Sequence, residues 1–309
     1  MVIIVQAAEA RERLDRLLVT HFPEHSRAEI QRWIDAGSVL VDGVVATSRT
    51  KVKEGSRIEA TPLPPATTDA KPEAIPLSIL FEDEHLLVVD KPAGLVVHPA
   101  PGHASGTLVN AYLHHVAGEA EDDEGDPARP GIVHRLDKET SGVMVIAKTA
   151  RARESLMARF AAHDLERAYV GIAIGVHPPH ATYDTMHGRH PYDRKRFTSK
   201  VSSGKRAITH VERLELLHGT TLVRCRLETG RTHQIRVHLA EHGHPLLGDP
   251  VYGSRPRDAR LREVGDRLGR QALHAAVLGF PHPISGQPLR FEAPLPADLA
   301  IALTALRTP

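Results

Sequence analysis

The stretch from Gly131 to Thr149, GIVHRLDKETSGVMVIAKT, is the densest in residues that could do chemistry. Five ionisable residues occupy six consecutive positions in it: His134, Arg135, Asp137, Lys138 and Glu139. An apolar run typical of a buried strand follows almost at once. Because charges at the mouth of a buried strand are costly unless they are paired, the cluster is a candidate functional site.

Asp137 has the clearest chemistry in this cluster. It lies between Arg135 and Lys138, whose positive charges should keep its carboxylate ionised at neutral pH. An ionised carboxylate can act as a nucleophile or as an electrostatic stabiliser. Spacing alone is equally compatible with a charged turn capped by Asp137, so both interpretations stay open at this point.

The composition is that of a globular protein. Of 309 residues, 41% are hydrophobic and 25% are charged, which excludes a mainly disordered chain. The formal net charge of +1 taken alone argues against a nucleic-acid partner. No apolar run approaches the length of a membrane span, and the opening MVIIVQAAEAR lacks the basic start of a signal peptide. Cys225, the single cysteine, has no partner for an internal disulfide, so we expect a cytoplasmic protein.

A proline-rich segment divides the chain. Residues 61–76 contain five prolines in TPLPPATTDAKPEAIP, and proline fixes φ and removes a hydrogen-bond donor. We therefore predict an extended linker over 61–76, a small domain over 1–60 and a large domain over 77–309.

The small domain shows the pattern of two helices and a hairpin. Apolar residues at helical spacing from Leu14 to Leu18 predict the first helix. Ser26 and Glu29 form a capping-box pair at the start of the second, which Gly37 should end. Asp42-Gly43 between two β-prone runs predicts a hairpin, and a further strand should follow in 51–60.

The large domain mixes strands and helices. We predict a helix over 150–162 that Thr149 caps, and strands over 79–90, 143–148, 168–176, 207–217 and 221–228. Strands and helices do not alternate regularly, and neither a G-x-G-x-x-G nor a Walker motif is present. The predicted class is α+β, with a mixed, largely antiparallel sheet and helices on it.

Three separated motifs carry a family resemblance. They are DKPAGLVVHP at 90–99, HRLDKETSG at 134–142 and GRTHQIRVHLAEHGHPLLGDPVYG at 230–253. Together and in this order they resemble the RluA-type pseudouridine synthases. The small domain is similar to the S4 RNA-binding domain, through Arg13-Leu14-Asp15, Ser26-Arg27 and the run from Gly37 to Gly43. The resemblance is to the subset of the family that carries an S4 domain and modifies large-subunit ribosomal RNA.

The resemblance implies a reaction for Asp137. The carboxylate would attack the uridine, the N-glycosidic bond would break, and the uracil would rotate and rejoin the ribose through C5. The reaction conserves composition, so the family implies neither a redox cofactor nor a metal. Attack at the ribose C1′ and attack at the base C6 both need an ionised carboxylate in one place, so this choice stays open.

The same resemblance implies roles for further residues. Tyr169 matches the tyrosine that stacks on the target base and is a candidate for moving a proton. Arg236 matches the basic residue that pairs with the catalytic aspartate, and Arg231 is the alternative, with a phosphate contact as its other role. Arg135 matches the arginine that fills the gap left by a flipped-out uridine.

Two more residues belong to the expected pocket. His134 is expected to bind substrate or simply to orient the loop. Leu273 is expected to form an apolar wall beneath the base, and a plain core leucine is the equal alternative.

Basic residues predict the RNA contacts. Residues 189–206 hold seven Lys or Arg against one Asp, with aromatic residues between them, a pattern typical of an RNA-contacting loop. The predicted contacts are Arg27, Arg32, Lys51 and Lys53 in the small domain and Arg194, Lys195, Arg196 and Lys205 in this loop. Residues 119–126, with six acids in eight positions, are expected to be a solvated insertion without a catalytic role.

The 21 histidines raise the question of a metal. Four histidines lie close in sequence: His233, His238, His242 and His244. The segment from His238 to His242 reads H-L-A-E-H, so its glutamate is not at the second position that an H-E-x-x-H zinc motif requires. We therefore predict no metal. The predicted function is uridine isomerisation in structured RNA, most simply 23S ribosomal RNA, free or within an assembling large subunit, by a monomer without a membrane partner. A non-catalytic RNA-binding protein and a metal-dependent hydrolase are the alternatives.

Overall fold

The computed structural model describes residues 1–23, 25, 27–63, 70–99, 103–117, 130–193 and 195–307. The described residues fall into two compact units, those up to Leu63 in the first and those from Ala70 onward in the second. The predicted cap Ser26, the predicted contact Arg194, the acidic insertion 119–126 and the middle of the predicted linker lie outside the described residues.

The first unit packs two helices on a small sheet. Its elements are β1 (Val2–Ile4), a 3-10 turn (Ala7–Glu9), α1 (Leu14–His21), α2 (Arg27–Asp35), β2 (Val39–Val41), β3 (Val44–Val45) and β4 (Arg57–Ala60). The strand order is β1-β4-β2-β3. Leu14, Leu18, Ile30 and Trp33 meet in its core, because their helical spacing puts them on facing stripes. The helices and hairpin are as predicted, whereas β1, only three residues long, escaped prediction because its pattern comes from pairing with β4.

The second unit is built on one ten-stranded sheet. Its strands are β5 (Ile79–Glu82), β6 (Leu86–Lys91), β7 (Ser141–Ala147), β8 (Glu166–Ile174), β9 (His180–Arg189), β10 (Phe197–Thr198), β11 (Lys205–Leu217), β12 (Thr220–Leu227), β13 (Leu273–Pro281) and β14 (Pro288–Glu292). Its helices are α3 (Leu108–His115), α4 (Ala150–Ala162), α5 (Gln234–Glu241), α6 (Ala259–Leu268) and α7 (Ala297–Arg307).

The sheet has the order β10-β9-β11-β12-β8-β13-β7-β6-β5, with β14 beside β13. Among the described strands only β13 and β7 pair in parallel. The predicted α+β class with a mixed, largely antiparallel sheet is confirmed. Thr149 caps α4 as predicted, since its hydroxyl accepts the backbone N–H of Ala152.

The predicted single strand over 79–90 is wrong. It is a hairpin of β5 and β6, turned at Asp83–His85 without glycine or proline. The Asp83 carboxylate makes this turn by accepting the backbone N–H groups of His85 and Leu86, both at 2.8 Å.

The centre of the sheet positions the site. The segment containing Asp137 leads into β7, Tyr169 lies on β8, and Leu273 begins β13 between them. β7 and β13 approach closely at Gly142, where a Cβ would lie 2.1 Å from the Ala275 carbonyl oxygen and where φ is +120°. Only glycine fits there, which brings the loop of Asp137 close to the strands that carry Tyr169 and Leu273.

Candidate active site

A cleft in the second unit brings together residues distant in sequence. It is lined by residues of the 135–140 loop, of β8, β12 and β13, and of the segment that leads into α5: Arg135, Leu136, Asp137, Thr140, Tyr169, Leu227, Arg231, His233, Gln234, Ile235, Arg236 and Leu273. Of the seven predicted catalytic and substrate-binding residues, six line this cleft; His134 does not.

Arg236 pairs with Asp137. Its Nη1–H donates to Asp137 Oδ2 at 2.9 Å, while the Asp137 side chain keeps 19% of its surface exposed. Arg231 lies in the same cleft but donates from Nε to the carbonyl of Arg206 at 3.1 Å. Asp137 lines the cleft, and the pairing leaves its Oδ1 without the hydrogen bond that Arg236 gives to Oδ2, which suits a nucleophile.

Asp249 fixes Arg236 from the other side. Its carboxylate accepts Nε–H at 2.8 Å and Nη2–H at 2.9 Å in a bidentate pair. It also accepts the backbone N–H groups of Val251 and Tyr252. Burial alone would raise the pKa of Asp249, but the hydrogen bonds and charge of Arg236 outweigh it and lower that pKa. The guanidinium is therefore rigid before any substrate arrives.

Tyr169 presents a neutral phenol to the cleft. Burial, opposed by the positive charge of Arg167 and assisted by the negative charge of Asp137, raises the pKa of Tyr169 to about 12. At neutral pH the hydroxyl therefore keeps its proton. Such a side chain can stack on a base and donate a proton, whereas it is a poor base itself.

Buried hydrogen bonds hold the loop of Asp137. The fully buried Lys91 donates from Nζ to the carbonyls of Pro92, Leu95 and Lys138, at 2.8, 3.0 and 3.1 Å. Gly94 N–H donates to the same Lys138 carbonyl at 2.9 Å. Burial lowers the pKa of Lys91 to about 8. The residue next to Asp137 is thus tied to the turn after β6.

His134 does not line the cleft but contacts β7 and α4. Its Nε2 accepts the backbone N–H of Val145 at 3.1 Å, and its ring stacks on Phe160. Burial lowers the pKa of His134 to about 3, so the ring stays neutral and can accept. This geometry matches the loop-orienting alternative.

Arg135 is exposed and Leu273 is buried, although both line the cleft. The Arg135 side chain is exposed at the cleft, where it is free to reach a nucleic acid. Leu273 is 3% exposed and belongs to the core, yet it also lines the cleft. Both expectations for Leu273, an apolar wall and a core leucine, describe the same placement.

The predicted RNA contacts of the first unit differ in what they touch. Arg27 is largely exposed but donates to the buried Asp15 at 2.8 Å. Arg32 donates to the carbonyl of Leu63 at 3.4 Å. Lys51 and Lys53 are exposed. The lysines therefore present charge to solvent, whereas both arginines also serve the fold.

The basic loop between β9 and β10 packs against Tyr252, which adjoins the site. Lys195 and Lys205 are exposed, whereas Arg196 is half-buried with its guanidinium 5.4 Å from the centre of the Tyr252 ring. Glu241 of α5 holds the far end of the loop by accepting the Thr198 hydroxyl at 2.5 Å and the Ser199 backbone N–H at 3.0 Å. The loop is thus held at its C-terminal end, while Lys195 and the later Lys205 are exposed.

The histidines of α5 make structural hydrogen bonds. Both ring nitrogens of His238 contact threonine hydroxyls, Thr209 and Thr185, at 2.9 Å. His242 stacks on Tyr183. Within the described ranges, no group of three or more His, Cys, Asp or Glu side chains is arranged to hold a metal. In the same ranges, no helix is long and apolar enough to cross a membrane.

Three polar residues that contact the predicted site residues escaped sequence reasoning: His233, which lines the cleft, and Asp249 and Tyr252, which contact Arg236 and His233. All three lie in the quoted motif at 230–253, so the motif was the available signal. His233 was considered only as a metal ligand. Asp249 lies 13 residues from Arg236, and only the turn after α5 reveals that the two side chains meet.

Comparison with known families gives two matches. A model described as RNA pseudouridylate synthase matches residues 85–241. A model described as S4 domain matches residues 12–58. The first covers the loop of Asp137, Tyr169 and α5, and the second covers most of the first unit.

Curated relatives match nearly the whole chain. The ribosomal large subunit pseudouridine synthase D of Xanthomonas campestris is 43% identical over 309 residues, covering 98% of this chain and 92% of that protein. The protein of the same name from Pseudomonas aeruginosa is 44% identical over 301 residues, covering 96% and 92%. The solved structure of human RNA Pseudouridylate Synthase Domain Containing 1 is 26% identical, with a TM-score of 0.57 over 72% of this chain and 85% of that one.

Proposed function

Because this chain belongs to the RNA pseudouridylate synthase family and is therefore an RNA-modifying isomerase, we propose that it converts specific uridines of large-subunit ribosomal RNA to pseudouridine with Asp137 as the nucleophile. The ribosomal substrate is supported by the names of relatives that match nearly the full chain. The observation that carries the role of Asp137 is its 2.9 Å ion pair with Arg236 through Oδ2, made by a side chain that lines the cleft.

The reaction uses the cleft as follows. The target uridine leaves its stack and enters the cleft, and Arg135, exposed at the rim, takes its place in the RNA. Asp137 Oδ1 forms a covalent bond with the nucleotide and the bond between C1′ and N1 breaks. The uracil turns, a bond forms between C1′ and C5, Asp137 leaves, and the proton lost from C5 is balanced by one gained at N1.

The remaining cleft residues hold the base during this turn. Tyr169 stacks on the uracil with its phenol protonated, and Leu273 forms the apolar floor. Arg236 stabilises the carboxylate charge each time Asp137 is released. Arg231 contacts a phosphate, and His134 orients the loop from behind.

The RNA reaches the site through two basic surfaces. The S4 domain supplies Arg27, Arg32, Lys51 and Lys53. The segment 189–206 supplies Arg194, Lys195, Arg196 and Lys205. Phosphate contacts of this kind position an RNA without reading its sequence. We propose that the enzyme works as a cytoplasmic monomer without a cofactor, on ribosomal RNA that is free or within an assembling large subunit.

The test is a map of pseudouridines in cellular RNA. A strain lacking the gene should lose specific pseudouridines in 23S ribosomal RNA, a plasmid with the wild-type gene should restore them, and D137N should not. Restoration by D137N would refute Asp137 as nucleophile. Loss of pseudouridine in another RNA class alone would refute the ribosomal substrate.

A further inference from the structure

His233 lies beside Asp137, on the side of the carboxylate that Arg236 does not contact. Its Nε2 is 3.8 Å from Asp137 Oδ1, the oxygen that Arg236 does not hold. A hydrogen bond to Oδ2 alone lets the carboxylate turn about its Cβ–Cγ bond. A second donor at Oδ1 would fix the plane of the carboxylate and hence the direction of attack.

The tautomer of His233 follows from its hydrogen bonds. Tyr252 Oη accepts the backbone N–H of Phe197 at 2.8 Å and lies 2.8 Å from His233 Nδ1. With its oxygen accepting from Phe197, the hydroxyl has its own proton available for Nδ1, and we assign that direction, which places the proton of a neutral imidazole on Nε2. The N–H of His233 therefore points at Asp137.

His233 is also held against its backbone preference. It has φ 59° and ψ 18°, the left-handed region, directly before α5. A non-glycine residue there costs about 1 kcal/mol, and such strain collects at functional sites. Asparagine tolerates this conformation best among residues with a side chain.

From these contacts we propose that His233 is a positioning residue for the nucleophile, and that Tyr252 fixes its tautomer and links it to the strand that closes the basic loop. The proposal rests on Asp137 being the nucleophile. In the free enzyme 3.8 Å is too long for a hydrogen bond, and catalytic hydrogen bonds commonly tighten only when substrate is bound.

The surroundings keep His233 neutral. Burial lowers its pKa, Arg236 and Arg135 lower it further, and Asp137 and Asp249 oppose this. The chain from Phe197 N–H through Tyr252 to His233 begins at β10, the strand that ends the basic loop. RNA bound to that loop would therefore act on the orientation of Asp137 through the backbone of Phe197 and the side chains of Tyr252 and His233.

Two substitutions at His233 separate positioning from backbone fit. Glutamine places its amide N–H close to the former Nε2, whereas asparagine reaches only the former Nδ1 but suits the left-handed backbone. Positioning therefore predicts that H233Q retains a single-turnover rate constant within about threefold of wild type, while H233N loses about 30-fold, as expected for misplaced reacting groups. RNA affinity should be unchanged in both. A rate in H233N equal to or above that in H233Q would overturn the proposal.

A substitution at Tyr252 gives an independent test. Y252F removes the hydroxyl but keeps the aromatic ring over Arg236. The change removes the donor to Nδ1, which raises the pKa of His233 relative to wild type, so the single-turnover rate constant of Y252F should begin to fall at a less acidic pH than that of wild type, as His233 becomes charged and masks Oδ1. Wild type and H233Q should stay level over the same range. The matched control is Y183F, because Tyr183 Oη makes the same 2.8 Å contact to His177 without lining the cleft.

The outcomes are distinguishable from failure of the proposed function. Full activity in D137N would remove the nucleophile and with it this inference. An inactive D137N together with a Y252F that behaves like Y183F at every pH would overturn the inference alone.

Discussion

Two arginine–aspartate clusters, one in each unit, use the same chemistry with opposite burial. In the first unit Asp15 is 2% exposed and is held by Arg13 and Arg27, whose side chains are 40% and 65% exposed. In the second unit Arg236 is 5% exposed and is held by the fully buried Asp249, with the partly exposed Asp137 as its other partner. The first cluster turns positive charge outward, and the second turns a carboxylate outward.

The difference shows which ion an environment makes available. A buried aspartate between two arginines stabilises its own fold and leaves guanidinium groups for an anionic partner such as RNA. A buried arginine between two aspartates leaves one carboxylate for covalent chemistry. Substitutions at the buried ion of each cluster should therefore affect different measurements.

The largest effect is expected from R236Q. It removes the guanidinium from Asp137 and also leaves Asp249 buried without a counterion. We expect a loss of activity of about 10³-fold and a loss of stability of about 3–5 kcal/mol. Pseudouridine formation under single-turnover conditions and urea unfolding measure the two. R236K is the matched control, since it keeps the charge and loses the fork geometry; if R236Q matched wild type in rate, the cluster would have no catalytic role.

A smaller effect on activity is expected from D249N. The asparagine keeps the size of the side chain but leaves the charge of Arg236 shared with Asp137 alone. The guanidinium should lose its fixed direction, and the rate should fall about 100-fold while RNA affinity is kept. Asp298, which pairs with Arg270 outside the cleft, offers D298N as the control. Equal rates in the two variants would contradict the pre-organising role of Asp249.

D15N should lower the stability of the fold and leave the rate of pseudouridine formation unchanged. Burial would raise the pKa of Asp15, but the hydrogen bonds and charges of Arg13 and Arg27 lower it overall. A lowered folded-state pKa gives stability that is present above about pH 4, the unfolded value, and is lost as pH falls through the folded value. We expect D15N to lose about 2 kcal/mol at neutral pH and to lose less further stability on acidification.

The measurement for D15N is urea unfolding at pH 7 and at pH 3. The rate constant for pseudouridine formation on bound RNA should equal that of wild type. The affinity for RNA should weaken, because Arg13 and Arg27 lose the carboxylate that holds them. A reduced single-turnover rate at saturating enzyme would show that the first cluster also serves the chemistry, which would break the comparison.

The smallest effect is expected from K53A. The side chain of Lys53 is exposed and makes no hydrogen bond or ion pair with the described residues, so its loss should weaken RNA binding a few-fold on every sequence and reduce the salt slope by about 1. Binding titrations at several salt concentrations measure this. K53R should behave as wild type, and an unchanged salt slope in K53A would remove Lys53 from the RNA surface.

Much of the fold could be predicted because it follows from local pattern. Thr149 before 150–162 predicted α4 to the residue, and Asp42-Gly43 predicted the first hairpin. The hairpin of β5 and β6 was missed because its turn depends on the side chain of Asp83 and not on glycine or proline. The net charge of +1 was misleading about RNA, since it averages an acidic segment and a basic loop.

The sequence by itself determined the resemblance to two known domains, the α+β class and the choice of Asp137 and Arg236 as candidates. These depend on residue type, order and local periodicity. Tertiary structure alone decided which oxygen of Asp137 is held, that Asp249 fixes Arg236, and that His233 and Tyr252 adjoin the site. The physical reason is that these contacts join residues from three chain segments, around 137, 197 and 233–252. Hydrogen bonds depend on distances of a few tenths of an ångström, and only the packing of the central strands against α5 sets those distances.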